Sequence, residues 1–385
     1  MNLGVFHNLP PGGGAFRVLA EYVAHSPQHE FTVYTRRTAS PGLVELDSRV
    51  TVHARPLPPS PSPVARMRVL WSLPRLGRGL AAEIDAAGHD AVFCHASDLT
   101  QAPEVLPWLR TPNLYYAPEA LRIAYETVPD LTDRTRSVRE RLADAGLNPY
   151  ERRRRALDRR HIRAAQRVMT HSAFTARRLA EIYGVHSDVV ALGVDAATFT
   201  PARVPREGFV LSVGALQALK GHQFVIDALA RLPDPRPRLV VVGDRGEYED
   251  ALRRLAAARG VELDLRRGIP FAELLDLYRR AGALACGQID EPFGLITLEA
   301  MATGTPVVAV AEGGFLETVE AGRTGLLTPR DADAFGACLA RVLHDSELAE
   351  RLGRTGREEV ERRWTWRATA RGIDRLLEEA IAERR

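Results

Sequence analysis

Cysteine is scarce in this chain of 385 residues: Cys94, Cys286 and Cys338 are far apart, odd in number and outside any C-x-x-C pair. That excludes a disulfide framework and a paired-cysteine zinc site, and a reducing cytoplasm fits. Long apolar runs are missing, and the opening Met1-Asn2-Leu3-Gly4-Val5-Phe6-His7 has no charged leader before an apolar core. The expectation is a soluble protein that is neither exported nor membrane-spanning. An excess of one charge is missing too: the formal net charge is +3, too balanced for a dedicated nucleic-acid binder, so any basic surface must be local. With 45% apolar and 26% charged residues, the composition is globular, and the length suits two or three domains of roughly 150 residues each.

Lysine is nearly absent. Of 52 basic residues, only Lys220 is a lysine. A genome rich in G and C explains the arginine bias but not the exception, because a position where arginine serves equally should have drifted with the rest. Lys220 therefore marks a place that needs a compact ammonium, with chance survival as the bland alternative.

Short β-branched or apolar runs alternate with longer helical patterns, the signature of parallel sheets wrapped by helices. In the first half, Leu3–Phe6, Phe31–Tyr34, Ala91–Cys94 and Asn113–Tyr116 read as strands, with helices near 15–25, 64–87 and 100–110. The proline-rich stretch from Arg55 to Pro63 reads as an exposed loop. Residues of about 126–167, which include Arg152-Arg153-Arg154-Arg155, read as an arginine-rich helical insertion with a solvated face as the default. After a linker around Val194–Gly208, a second set follows: strands Phe209–Val213, Leu239–Val242, Ala283–Cys286 and Pro306–Val310, with helices at 222–232, 247–259, 271–281 and 293–303. The expected organisation is two doubly wound Rossmann-like domains, 1–195 and 196–362. An amphipathic helix at 363–385 would pack back on the first. Open parallel sheets bind ligands at the carboxyl ends of their strands, so a central cleft between the domains is expected to take two ligands.

The densest signal runs from Asp290 to Val308. Pro292 suits a first helical position, Gly304 a left-handed terminator, and Pro306 stops the helix before a strand. A helix of about three turns should start beside Glu291 and contain Glu299. The N–H groups of Phe293, Gly294 and Leu295 would form an anion site, with Gly294 permitting close approach. Two carboxylates beside a bound pyrophosphate must face neutral hydroxyls, which assigns Glu291 to a sugar and Glu299 to a ribose. Glu291 as a helix-dipole partner and Glu299 as a surface acid are the plainer alternatives.

Glu291 and Glu299 are separated by seven residues, and the segment resembles the E-x7-E signature of retaining glycosyltransferases of family 4, glycosyl transferases group 1, with the GT-B fold. The resemblance extends through Gly313-Gly314-Phe315-Leu316-Glu317 and Gly322-Arg323-Thr324-Gly325, and back through Val213-Gly214-Ala215-Leu216 to Lys220-Gly221. In the first half it is thinner, resting on Gly12-Gly13-Gly14, Thr170-His171-Ser172-Ala173-Phe174 and Gly193-Val194-Asp195. It implies that Lys220 meets the pyrophosphate of a nucleotide sugar. Members usually carry an arginine five residues earlier, where this chain has Ala215; Arg245 is the candidate substitute. Gly13 and Gly14 would lie against the phosphates. A dinucleotide site is excluded, because Arg17 stands where G-x-G-x-x-G needs glycine and the second strand ends in Thr35-Arg36-Arg37 without a ribose-binding acid. His95, at a strand end, would bind acceptor or donor sugar. Relatives often have a histidine after the next strand, where Tyr115-Tyr116-Ala117-Pro118-Glu119 has none, so Glu119 or Arg122 would take the acceptor side. Asp331-Ala332-Asp333 looks like a metal-binding D-x-D but is better explained as a helix cap.

The implied reaction moves a sugar from a nucleoside diphosphate sugar to a hydroxyl of a glycan, lipid-linked or small-molecule acceptor by front-face attack, without metal or other cofactor. Lys220, Glu291 and His95 are the expected catalytic residues. A phosphorylase, a sugar-nucleotide epimerase and a non-catalytic carbohydrate-binding protein stay open as alternatives. The expected location is the cytoplasm, with a peripheral anionic membrane contact through Arg152–Arg155 and no nucleic-acid partner.

Overall fold

The structure, a computed structural model, describes all residues except 9–13, 37–46, 48, 59–61, 126–137, 245 and 385, and for 123 and 138–148 only the backbone. The described residues divide into two compact units, one of those up to Ala191 together with Trp366 onward, the other Leu192–Thr365.

The first unit is built on β1 (Asn2–Asn8), β2 (Glu30–Thr35), β3 (Val50–Ala54), β4 (Ala91–Ser97), β5 (Asn113–Tyr116), β6 (Arg167–Thr170) and β7 (Asp188–Val189). All pair in parallel, in the order β3-β2-β1-β4-β5-β6-β7. Its helices are α1 (Gly14–His25), α2 (Pro63–Ala86), α3 (Arg122–Tyr125), α4 (Val138–Ile162) and α5 (Ala173–Tyr183). Both faces of a parallel sheet are covered, so β1 and β4 are buried along almost their whole length rather than in alternation. Local chemistry sets the helix ends. Ser62 caps α2 by accepting from the Ala65 N–H at 3.2 Å, with Pro63 at the first turn. Ser172 caps α5, which Gly184 ends at φ 68°.

The last helix, α13 (Trp366–Ala382), belongs to the first unit and buries Trp366, Ile373, Leu376 and Leu377. Tyr22 donates to Asp374 at 2.6 Å and Gln166 to the Ala380 carbonyl at 2.7 Å, while Arg167 pairs with Glu379 and Glu383.

The expected helix at 100–110 is not there: the segment forms only a 3-10 turn at Leu106–Trp108. Pro103 and Pro107 withhold the amides that a helix would use. Of the expected insertion at about 126–167, residues 126–137 lie outside the described set and α4 fills most of the rest, with α3 just ahead of it.

The second unit has β8 (Glu207–Val213), β9 (Leu239–Gly243), β10 (Leu263–Arg267), β11 (Ala281–Cys286), β12 (Val307–Val310) and β13 (Leu326–Thr328). They form a parallel sheet in the order β10-β9-β8-β11-β12-β13. Between and after them lie α6 (His222–Leu229), α7 (Glu249–Arg259), α8 (Phe271–Arg280), α9 (Leu295–Ala302), α10 (Phe315–Thr318), α11 (Ala332–His344) and α12 (Ser346–Arg363). Asp331 caps α11 by accepting from the Ala334 N–H at 2.8 Å. The three cysteines are free, and no helix of the described residues is long and apolar enough to cross a membrane.

Candidate functional site

In the second sheet the strand order reverses between β8 and β11, the switch point where a doubly wound sheet opens a crevice at its carboxyl end. The two chain segments leaving these strands are locked together. The Ile289 N–H donates to the Leu219 carbonyl at 2.9 Å, and the Gln288 amide to the Val213 carbonyl at 3.2 Å. Gly221, at φ 66°, lies so close to Gly287 that a Cβ would overlap its carbonyl oxygen. Glycine is required there for both reasons.

This packing places Lys220 against Glu291. Lys220 ends a 3-10 turn, Ala218–Lys220, and its ammonium donates to Glu291 Oε2 at 2.8 Å. The pair is partly exposed, with 30% of the lysine and 18% of the glutamate side chain open to solvent. The ammonium is therefore both held and reachable.

Behind the turn stands His222, fully buried. Its Nε2 donates to the Gly214 carbonyl at 3.2 Å, and its Nδ1 shares a hydrogen bond with the Ser212 hydroxyl at 2.9 Å. Burial pushes its pKa down to about 4.

Helix α9 departs from the expectation. It runs over Leu295–Ala302, two turns rather than three, and Pro292 lies upstream of it. The reason is Gly294, whose φ of 93° is incompatible with a helical position; a Cβ there would come within 2.7 Å of the Phe315 ring. Leu295 is the first helical residue, and the first N–H groups of the helix have no acceptor within it. Phe293 is buried edge-on against Trp364, with ring centroids 5.8 Å apart. Glu299 is buried at 7% exposure, and Tyr278 donates its hydroxyl to Oε2 at 2.8 Å. The loop after β12 is tied in as well, the Gly314 N–H donating to the Glu291 carbonyl at 2.7 Å.

Besides Tyr278, two supports were not singled out in the sequence. Arg330 donates to Glu312 at 2.9 Å, to the Gly287 carbonyl at 2.8 Å and to the Gln288 carbonyl at 2.7 Å, fastening the loop that carries Glu291. His222 does the same for the Lys220 turn. The only local hint was the adjacency of His222 to Lys220-Gly221, and nothing near Arg330 marks its long-range partners.

In the first unit, Gly14 is the exposed first residue of α1, while Gly12 and Gly13 lie outside the described residues, as does Arg245 of the second unit. His95 is inside β4, which runs on to Ser97, rather than at a strand end, and it is wholly buried. Phe93, His7 and Tyr116 surround it with ring centroids 4.5, 5.3 and 5.5 Å away. Burial, with His7 beside it, holds the His95 pKa well below the ordinary range. Glu119 and Arg122 are half-buried after β5, Arg122 as the first residue of α3.

Residues 12–198 match the family model Glycosyltransferase Family 4, and residues 196–359 match Glycosyl transferases group 1. The chain belongs to the group 1, family 4 glycosyltransferases. Among curated relatives, the D-inositol 3-phosphate glycosyltransferase of Acidothermus cellulolyticus is 35% identical over 250 residues, 58% of this chain and 55% of that protein. The match thus spans little more than half the relative's length. Sucrose-phosphate synthase from Thermosynechococcus elongatus superposes with a TM-score of 0.76 at 20% identity, over 99% of both chains. HepE of Anabaena, solved with UDP, does so with a TM-score of 0.71 at 18% identity, over 98% and 100%. At these identities the likeness is one of fold, and that fold is GT-B.

Proposed function

We propose that the chain transfers a sugar from a nucleoside diphosphate sugar to an acceptor hydroxyl, with retention at the anomeric carbon. The observation that carries this reading is the pairing of the only lysine in the sequence with Glu291, at the switch point of a sheet whose next helix opens beside them. In this reading the diphosphate of the donor takes Lys220 over from Glu291 and meets the amides at the start of α9. Glu291, released, accepts hydroxyls of the sugar, and Glu299, already oriented by Tyr278, accepts those of the ribose.

The bond from the anomeric carbon to the β-phosphate oxygen breaks while the acceptor oxygen bonds on the same face, and the departing phosphate takes the acceptor proton. Lys220 and the α9 amides stabilise the growing negative charge, so the reading needs no metal ion. Gly13, Gly14 and Arg245 are proposed as further donor contacts. Glu119 and Arg122 are proposed for the acceptor side of the first unit. His95, being buried, enters as a positioning residue.

HepE, with UDP and with UDP-glucose, supports a nucleotide-sugar donor, and the free cysteines fit a cytoplasmic enzyme. The test is a thermal-shift screen of UDP, GDP, dTDP, ADP and their sugars, followed by anomeric analysis of the product. A ligand at a hundred times its Kd adds about 2.7 kcal/mol to the folded state. A screen in which no nucleotide raises the melting temperature rejects the proposal.

A further inference from the structure

The two most exposed large apolar side chains among the described residues are Val64 at 63% and Trp71 at 61%, and both stand on α2. Their spacing is seven residues, two helical turns, so they share a face, and Met67 falls between them. The opposite face of α2 is buried through Leu70, Leu73, Leu80 and Ile84, and Leu157 of α4 joins Leu70 and Leu73 in one apolar cluster. The exposed stripe is thus not a core face that slipped outward; it is what remains after the helix has been anchored.

Arginine frames the stripe. Arg68 and Arg75 lie on the same exposed face, and α2 has no acid before Glu83. From α4, Arg153 stacks its guanidinium 4.7 Å over the Trp71 ring, and Arg152 and Arg155 are exposed nearby in sequence. Glu151 is already engaged by Arg154 at 3.7 Å, and Asp158 is buried.

We propose that this face of α2, with the adjoining arginines of α4, docks on an anionic lipid bilayer. An indole with aliphatic neighbours suits the headgroup boundary, and surrounding arginines suit anionic headgroups. Charge decides against a second copy of this chain as the occupant, since it would present the same positive face. The inference stands apart from the donor site: it concerns where the protein sits, not what it transfers.

The test is flotation of the full chain with vesicles of phosphatidylcholine alone and of phosphatidylcholine mixed with phosphatidylglycerol. The expected result is flotation with the anionic mixture only, weakening as salt rises. Trp71→Ser should reduce it at least severalfold, and each of Arg68→Gln and Arg75→Gln should reduce it about fivefold, the equivalent of about 1 kcal/mol per basic residue at such a surface. Unchanged nucleotide-induced melting shifts in these variants would separate this surface from the donor site. The proposal is overturned by equal flotation with both vesicle types, by none with either, or by flotation indifferent to the arginine variants. Self-association in sedimentation velocity that Trp71→Ser abolishes, without vesicle binding, would likewise overturn it by assigning the face to a second copy.

Discussion

The carboxyl edges of the two sheets share a topology and differ in chemistry. At the switch point of the second sheet, charged groups meet in exchangeable pairs, Lys220 with Glu291 and Arg330 with Glu312, on loops fixed by backbone hydrogen bonds. At the corresponding place in the first, His7, His95, Tyr116 and His171 form a row of buried rings across β1, β4, β5 and the end of β6, joined by a 2.8 Å hydrogen bond between Tyr116 and His171. One edge can answer negative charge that arrives with a ligand. The other keeps its charge buried, as in the 3.0 Å ion pair of Arg36 with Glu104, and lines the crossing of the central strands with rings. A shared fold therefore supplies the location and the side chains supply the function.

Removing the charge from the second edge should have the largest effect. Lys220→Met is expected to lower turnover about 10²–10³-fold, the range for losing a donor aimed at developing negative charge, with the fold retained in circular dichroism. Lys220→Arg sharpens the point. If the site needs a compact ammonium, arginine restores only part of the rate; full activity would make the single lysine an accident.

Next comes the acid behind it. Glu299→Ala should weaken nucleotide affinity by about 1–3 kcal/mol in calorimetry. Tyr278→Phe provides the control, because it deletes the same internal hydrogen bond without removing the carboxylate. Stability should drop in both variants, whereas affinity should drop only in the first. Equal affinity losses would mean that Glu299 acts through packing alone.

Much of this was legible in the sequence, and the limits have physical causes. Strand β9 announced itself because a central strand is apolar throughout, while β10, reading Leu-Asp-Leu-Arg-Arg at the sheet's edge, alternated too weakly to be seen. The short edge strands β3, β7 and β13 were missed as well, as was β6, an interior strand of only four residues. In the site, Lys220 stood out by rarity and the two glutamates by spacing. Tyr278, His222 and Arg330 did not, because each is defined by partners brought together only by folding. The start of α9 was misplaced since Pro292 and Gly294 compete to set it, and the left-handed glycine prevails.

The buried imidazoles behind the two edges predict a pH dependence that both share. His222 has a folded pKa of about 4, against an unfolded value near 6.5, and His95 shifts in the same direction. As pH falls from about 6.5, the unfolded chain binds protons that the folded protein refuses, so stability declines by about 1.4 kcal/mol per pH unit for each ring. Urea midpoints between pH 7 and pH 5 measure this slope. His222→Gln should flatten it by one proton, and an unaltered slope would place the linkage elsewhere.

The smallest effect is the most discriminating. Glu291 occupies the ammonium that a diphosphate would use, so binding a bare nucleoside diphosphate must break an ion pair before it gains one. The pair is partly open to solvent, which limits its worth to about 0.5–1 kcal/mol. Glu291→Gln should therefore tighten UDP or its equivalent by a few fold while turnover of the nucleotide sugar falls, because the carboxylate that would hold the sugar is gone. The two readouts move in opposite directions only if Glu291 serves the sugar and competes for Lys220. If affinity and turnover decline together, Glu291 instead holds the turn in place, and the contrast between an exchangeable, solvent-open edge and a fixed, buried one collapses.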